Sequence, residues 1–309
     1  MTMKNTISYI AGALMLLIPA VSGAQALPFT IADTDPVALA KGTASLAETG
    51  SVSHAAFVNA AAVPFSESAL DVSAGYTMWQ PANAKGNVIS VAGAYNMNDK
   101  LGVAAGLYYG MNPAYEITDA SGSSKGTFSP SDMHAAVGVS YRFIPALAVG
   151  VNVGYATSSL TKDNSYGTVA ADFFLMSQFS DFKVAAGVSN VLGTVKSASG
   201  AEFCIPGSVA LGAGYDKAFA DKHAVEANLD VDYFFSGWLA AAAGVGYTFN
   251  DLVSVRAGYR YGGESPIPSF ASVGAGVKFA GVKLDLAYLI AGADSPMKNT
   301  LALAVGYSF

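Results

Sequence analysis

The chain has 309 residues, of which 52% are hydrophobic and only 12% charged, with a formal net charge of −6. That charged share is about half the ~25% usual in soluble domains, and the acidic balance excludes a nucleic-acid partner, whose phosphates demand a basic surface. A single cysteine, Cys204, excludes an internal disulfide.

Lys4 is the only charge ahead of an apolar stretch at 7–21, and Ser22-Gly23-Ala24-Gln25-Ala26 supplies the small residues of a cleavage site. Residues 1–26 are therefore expected to be a signal peptide. Its apolar core is short of the ~20 residues that a spanning helix needs. No cysteine near the cut invites a lipid anchor. After residue 26 no apolar run approaches spanning length either, so the high hydrophobicity must be distributed in another pattern.

The segment 27–68 has no strand alternation. Asp35-Pro36 ahead of Val37-Ala38-Leu39-Ala40 predicts a short Pro-started helix. This segment is expected to be a periplasmic lead-in, seated in the periplasmic mouth of the barrel as a plug.

From residue 69 onward, apolar and small or polar residues alternate. Because strand side chains point to opposite faces in turn, fourteen strands are predicted, at 69–78, 86–96, 101–109, 133–143, 146–155, 167–177, 182–190, 207–217, 224–234, 238–248, 253–261, 271–279, 282–290 and 300–309. Most match the ~9–11 residues with which a tilted strand crosses a bilayer. The links after the even strands are short and carry turn residues: Asn98-Asp99, Pro145, Ser180-Asp181, Asp221-Lys222, Asn250-Asp251 and Gly281. The longer links, at 110–132, 156–166, 191–206, 262–270 and 291–299, all fall on the other side. Short periplasmic turns alternating with longer external loops are the layout of a bacterial outer-membrane barrel. The expected fold is thus all-β, a transmembrane antiparallel barrel of about 14 strands over 69–309, with a short, partly helical N-terminal plug or lead-in.

Aromatic residues recur at two depths. Phe143, Phe179, Phe249, Phe279 and Phe309 mark a periplasmic rim; Tyr76, Trp79, Tyr109, Tyr155, Tyr233, Tyr261 and Tyr288 mark an outer one. The last strand, Leu301-Ala302-Leu303-Ala304-Val305-Gly306-Tyr307-Ser308-Phe309, puts large apolar residues on one face and small ones on the other. Its Tyr307 and terminal Phe309 resemble the signal by which barrel assembly machinery recognises its clients. Outer-membrane lipid is the remaining expected contact, and both mature termini are expected in the periplasm.

Parity also sorts the interior. Glu226, Asp230 and Asp232 on the ninth strand, Arg256 and Arg260 on the eleventh, and Lys283 and Asp285 on the thirteenth point inward. They form a candidate lumen polar network, read first as ion pairs that stiffen the barrel and second as a permeant or ligand contact. Catalytic chemistry is not expected. His54, His134 and His223 sit in three separate contexts, and Ser131-Asp132 near His134 reads better as loop chemistry than as a nucleophilic triad. No cofactor or metal site is expected.

Several stretches resemble the PorV/PorQ family of outer-membrane barrels, related to the FadL-type hydrophobic transporters. Phe57-Val58-Asn59-Ala60-Ala61 resembles its Trp-Asn-Pro-Ala element, with Asn59-Ala60 in place of Asn-Pro. Val72-Ser73-Ala74-Gly75-Tyr76-Thr77-Met78-Trp79 resembles its first strand, and Gly126-Thr127-Phe128-Ser129-Pro130-Ser131-Asp132 the approach to its fourth. Val255-Arg256-Ala257-Gly258-Tyr259-Arg260-Tyr261-Gly262 and Leu284-Asp285-Leu286-Ala287-Tyr288 resemble its C-terminal third. The resemblance implies a non-enzymatic component of type IX protein secretion, whose partners are secreted cargo signal domains or secretion-system proteins bound through loops 110–132 and 191–206. The alternative is a FadL-like channel for small hydrophobic molecules, with the lead-in as its gate.

Overall fold

The computed structural model describes residues 25–79, 85–197, 199–263 and 265–309. Most of the expected signal peptide, residues 1–24, lies outside these. The alternating segments form fourteen antiparallel strands closed into one barrel. They are β1 Leu70–Trp79, β2 Gly86–Met97, β3 Leu101–Met111, β4 Ser131–Ile144, β5 Leu147–Thr161, β6 Asn164–Phe179, β7 Phe182–Val191, β8 Ser208–Phe219, β9 His223–Phe234, β10 Leu239–Phe249, β11 Val253–Tyr261, β12 Phe270–Phe279, β13 Val282–Ile290 and β14 Leu301–Ser308. Each strand pairs with its sequence neighbours, and β14 closes against β1 in a register that sets Val72 opposite Tyr307 and Gly75 opposite Ala304. Closure leaves no unpaired sheet edge, which a bilayer does not tolerate.

Alternation fixes the two faces. On β11 the side chains of Val253, Val255, Tyr259 and Tyr261 are exposed, whereas Arg260 is buried. On β14, Leu303, Val305, Tyr307 and Phe309 face out and Ala302 is buried in the lumen. A closed barrel with this apolar exterior is an integral protein of the bacterial outer membrane. Phe143, Phe179, Phe249, Phe279 and Phe309 are all exposed near the short-turn end. Trp79 departs from the expected outer rim: it turns inward and packs against the buried cluster that contains Leu39 and Leu289.

The short turns use left-handed backbone. Asn98 and Asp99, and likewise Asn250 and Asp251, have φ near +50°, which suits the right-handed twist of tight hairpins. At the opposite end the strands run past the apolar band. β5 and β6 have 15 and 16 residues, and Ser159 pairs with Ser165 where a loop at 156–166 is expected from sequence. These polar tips carry no hydrophobic alternation, so pattern alone ends the strands too early. Small hairpins, Tyr115–Thr118 with Ser124–Phe128 and Thr194–Lys196 with Glu202–Cys204, occupy two of the long links.

The N-terminal segment fills the barrel. Ala26 N–H donates to the Cys204 carbonyl in the second loop hairpin, 3.0 Å away, so this part of the chain lies at the loop end. A 3-10 turn, Pro28–Ile31, follows, then the helix Pro36–Ala40, capped by Asp35 Oδ1 accepting from Val37 N–H at 3.0 Å. A second 3-10 turn, Ala60–Phe65, is capped by Asn59 and packs on β2–β6. The Ser66 carbonyl accepts from Asn96 Nδ2 beside the first short turn. The segment therefore traverses the lumen from loop end to turn end, rather than resting only in the periplasmic mouth. Phe309 and the start of β1 do lie at the turn end, whereas residue 26 does not, which corrects the expectation of two periplasmic termini.

Glycines on the inner wall make room for it. A Cβ at Gly258 would lie 2.1 Å from the Lys41 carbonyl carbon, one at Gly150 2.5 Å from Ala61 N, and one at Gly106 2.3 Å from the Phe57 ring. The exterior obeys the opposite demand. Leu286→Arg, at mid-height on the lipid face of β13, is expected to destabilise the barrel by about 2–4 kcal/mol in denaturant titrations in phospholipid vesicles, against roughly 0–1 kcal/mol for Phe279→Arg at the rim.

Candidate functional site

The inserted segment meets a charged stretch of wall on β7, β9, β11 and β13 and an apolar stretch on β2–β8. Lys41 is central to the first. It is fully buried and forms an ion pair with Glu48 of its own segment and another, at 2.9 Å, with Glu226 on β9. Burial alone pulls the Lys41 ammonium down, but the carboxylates of Glu48 and Glu226 outweigh it and hold its pKa above the ordinary lysine value. Burial likewise pushes the Glu48 carboxyl up, and the charges of Lys41 and Lys183 overcome that and hold it well below the usual carboxylate range.

The wall continues this network. Arg256 Nη1 donates to Asp285 Oδ1 at 2.8 Å, and its Nε lies 3.4 Å from Glu226. Arg260 Nη1 donates to Thr43 Oγ1 at 2.8 Å and sits 3.9 Å from Asp232. Asp230 Oδ2 accepts from the backbone N–H groups of Ser45 and Leu46, at 2.7 and 2.8 Å. Lys283 pairs with Asp71 at 2.5 Å rather than with Asp285, and Asp71 in turn accepts from Val52 N–H. The inward acids and bases thus pair along the wall and with the inserted segment, not across an open lumen.

Sequence parity misses half of these partners. Lys41, Glu48 and Thr43 belong to the non-alternating segment, 180 to 217 residues from the wall groups they meet. Lys183 on β7, bound to Thr49 Oγ1 at 3.0 Å and paired with Asp216, is also missed. Its signal is a lysine at an inward position of an otherwise apolar strand. A polar cavity of about 570 Å³, lined by Glu48, Lys183, Asp216, Glu226, Arg256 and Asp285 among others, opens below the network at the turn end.

Two apolar clusters lie toward the loops. Leu39, Ile267, Phe270, Leu289 and Met297 cluster against one wall. Leu27, Ala156, Ala170, Val195 and Ile205 form a second cluster beneath the hairpin that contains Val195. Between the inserted segment and β3–β4 lies a cavity of about 80 Å³ whose lining includes Phe29, Asp33, His54, Phe57, Tyr108 and His134. Phe29 stacks on Tyr108, with centroids 5.8 Å apart, and Phe57 contacts the His134 ring at 5.2 Å. His134 therefore belongs to this aromatic cavity. Asp132 instead accepts a hydrogen bond from Asn112 at 3.1 Å. His223 is elsewhere, 2.6 Å from the Tyr247 hydroxyl near the short turns. Among the described residues no cluster of three metal-ligating side chains occurs.

No protein-family model matches the chain, and no curated protein matches it. Solved structures do resemble the fold. The toluene transporter TbuX of Ralstonia pickettii shares 12% identity at a TM-score of 0.60, covering 89% of this chain and 98% of that one. The toluene transporter TodX of P. putida shares 13% at 0.61, covering 93% and 99%. A Pseudomonas aeruginosa FadL homologue shares 11% at 0.53, covering 89% and 98%. The likeness is one of fold, and the sequence resemblance to the PorV/PorQ family finds no support among these matches.

Asp33 lies where the cavity meets the inserted segment. Burial pushes its carboxyl up to about 7, and the nearby charge of Asp35 adds to the rise. The folded state holds this proton between pH ~4 and 7 while the unfolded chain has released it. The Asp33 contribution to stability therefore falls as pH rises through that window and is least favourable above pH 7. Asp33→Asn keeps an acceptor for the Asp35 N–H, bound at 2.9 Å, and removes the charge. The variant is expected to raise the unfolding temperature more at pH 8 than at pH 5, as read by heat-dependent gel mobility.

Proposed function

We propose that this barrel is a channel for small hydrophobic molecules, with the N-terminal segment as its gate. The observation that carries the reading is the difference between the two openings that the segment separates. Apolar clusters and a small aromatic cavity lie toward the loops, and the segment with its ion pairs closes the lumen between them and a polar vestibule at the turn end. An apolar solute gains by leaving water for the loop-side clusters and is barred from the vestibule until the segment moves. The likeness in fold to structures described as toluene transporters agrees with this.

The seat of the segment suits a movable part. Around Lys41 it is held by hydrogen bonds and ion pairs to side chains, including Asp230 to Ser45 and Leu46, Ser272 to Gly42, and Glu226 to Lys41, and its 3-10 turn Ala60–Phe65 packs into an apolar cluster with the wall. It adds no strand to the barrel. The secretion reading needs outward surface on the loops. The hairpin within 191–206 turns part of itself inward instead, with Val195 and Ile205 buried against Leu27, so the channel reading is preferred.

Uptake of radiolabelled toluene by Gram-negative cells expressing the protein tests the proposal. Cells with the barrel are expected to take it up several-fold faster than vector controls. Equal rates overturn the reading. Gly258→Val places side-chain atoms where the Lys41 backbone now sits and is expected to dislodge the segment, raising uptake above that of the unmodified protein.

A further inference from the structure

The loop-side cavity is aromatic, but it is not lined as a site for a plain hydrocarbon. His54 is 4% exposed, and its Nε2 has no hydrogen-bond partner among the described residues. The same ring lines the cavity together with the hydroxyl-bearing Tyr108 and with His134. A buried polar atom without a partner costs about 1–3 kcal/mol, and such a cost persists where a ligand relieves it. The other face of the ring is already engaged. Nδ1 lies 3.1 Å from Ser53 Oγ and 4.0 Å from Asp35 Oδ1. A carboxylate on that side favours the proton on Nδ1, which leaves the Nε2 lone pair as an acceptor.

From this geometry we propose that the cavity binds small hydroxylated aromatic rings of the phenol type, with the phenolic O–H donating to His54 Nε2. Phe29 and Phe57 supply apolar ring contacts, and the hydroxyl satisfies the one atom that a hydrocarbon leaves bare. The cavity, at about 80 Å³, is roughly half the ~150 Å³ that accommodates benzene in an engineered protein core. His54 Nε2 has no accessible surface of its own, so a ring enters and reaches it only as Phe57, whose ring centroid lies 6.4 Å from that of His54, gives way. Phe57 is a partly buried hydrophobic side chain packed against the large apolar cluster and not one of its buried members. The inference deepens the channel reading and rests on it for the route by which the ring arrives.

Phenol and toluene differ only by hydroxyl against methyl, so their binding to the purified full-length barrel in detergent isolates the hydrogen bond. Calorimetric titration is expected to show phenol bound about fivefold or more tightly than toluene, the share of one neutral hydrogen bond. His54→Leu is expected to abolish that preference, and His54→Gln, which keeps an acceptor, to retain most of it; heat-dependent mobility checks that both variants fold. Equal affinities for the two compounds, a preference that survives His54→Leu, or no binding of either overturns the inference. The channel reading fails separately: phenol bound in the predicted order, but taken up by cells no faster than by vector controls, leaves the site standing and removes the transport.

Discussion

Lys41 carries its charge at a position with no access to solvent, and the rest of the interior is arranged around that fact. An unpaired ammonium there would cost several kcal/mol. Glu48 supplies one counter-charge from the same segment and Glu226 a second from the wall. Arg256 then neutralises Glu226 and is itself neutralised by Asp285. The chain of pairs ties the inserted segment to three staves of the barrel, β9, β11 and β13. Removing one member leaves a buried charge behind, so the segment is held by interactions that are mutually dependent. The same interactions are directional and polar, so water can replace them, as the proposed gating requires.

The wall answers with size. Gly258, Gly244 and Gly274 admit the backbone around Lys41, while Gly150 and Gly106 admit Ala61 and Phe57. Larger residues at these inward positions would keep the alternation and still forbid the plug. The exterior keeps its bulky apolar residues because lipid tolerates them, and the interior keeps small ones because a second layer of chain lies there. Function follows from what that second layer leaves open: a polar vestibule at one end and a small aromatic cavity toward the other.

Much of this is legible in the sequence, and the reason is physical. Side chains alternate strictly between lipid and lumen, so all fourteen strands can be read from residues such as Val253, Val255 and Tyr259 against Arg256 and Arg260. The same parity sends Glu226, Asp230 and Asp285 inward. It fails where alternation carries no hydrophobic contrast, as in the serine-rich tips of β5 and β6. Trp79 is misplaced because an aromatic at a strand end looks the same whether it faces lipid or Leu39. The path of 27–68 is not legible at all. Lys41 meets Glu226, and Asp230 meets Ser45, only after the barrel has closed. His54 reads in sequence as a lone histidine in a lead-in, and only the enclosing wall reveals its bare Nε2.

On the proposed mechanism the inserted segment closes the lumen, and transport requires it to move. Ala60 on the segment and Gly138 on β4 approach closely, with a Cβ built at Gly138 lying 3.0 Å from that of Ala60. A disulfide between cysteines at these two positions, in a Cys204→Ser background, needs Asn152 Oδ1, 2.4 Å from the Cβ built at Gly138, to turn aside and the pair to open to the usual Cβ separation near 3.8 Å. Uptake of radiolabelled toluene is measured in cells before and after reduction of that bond. Uptake is expected to be blocked while the bond is intact and to return on reduction. Undiminished uptake through the oxidised, locked barrel would contradict this mechanism.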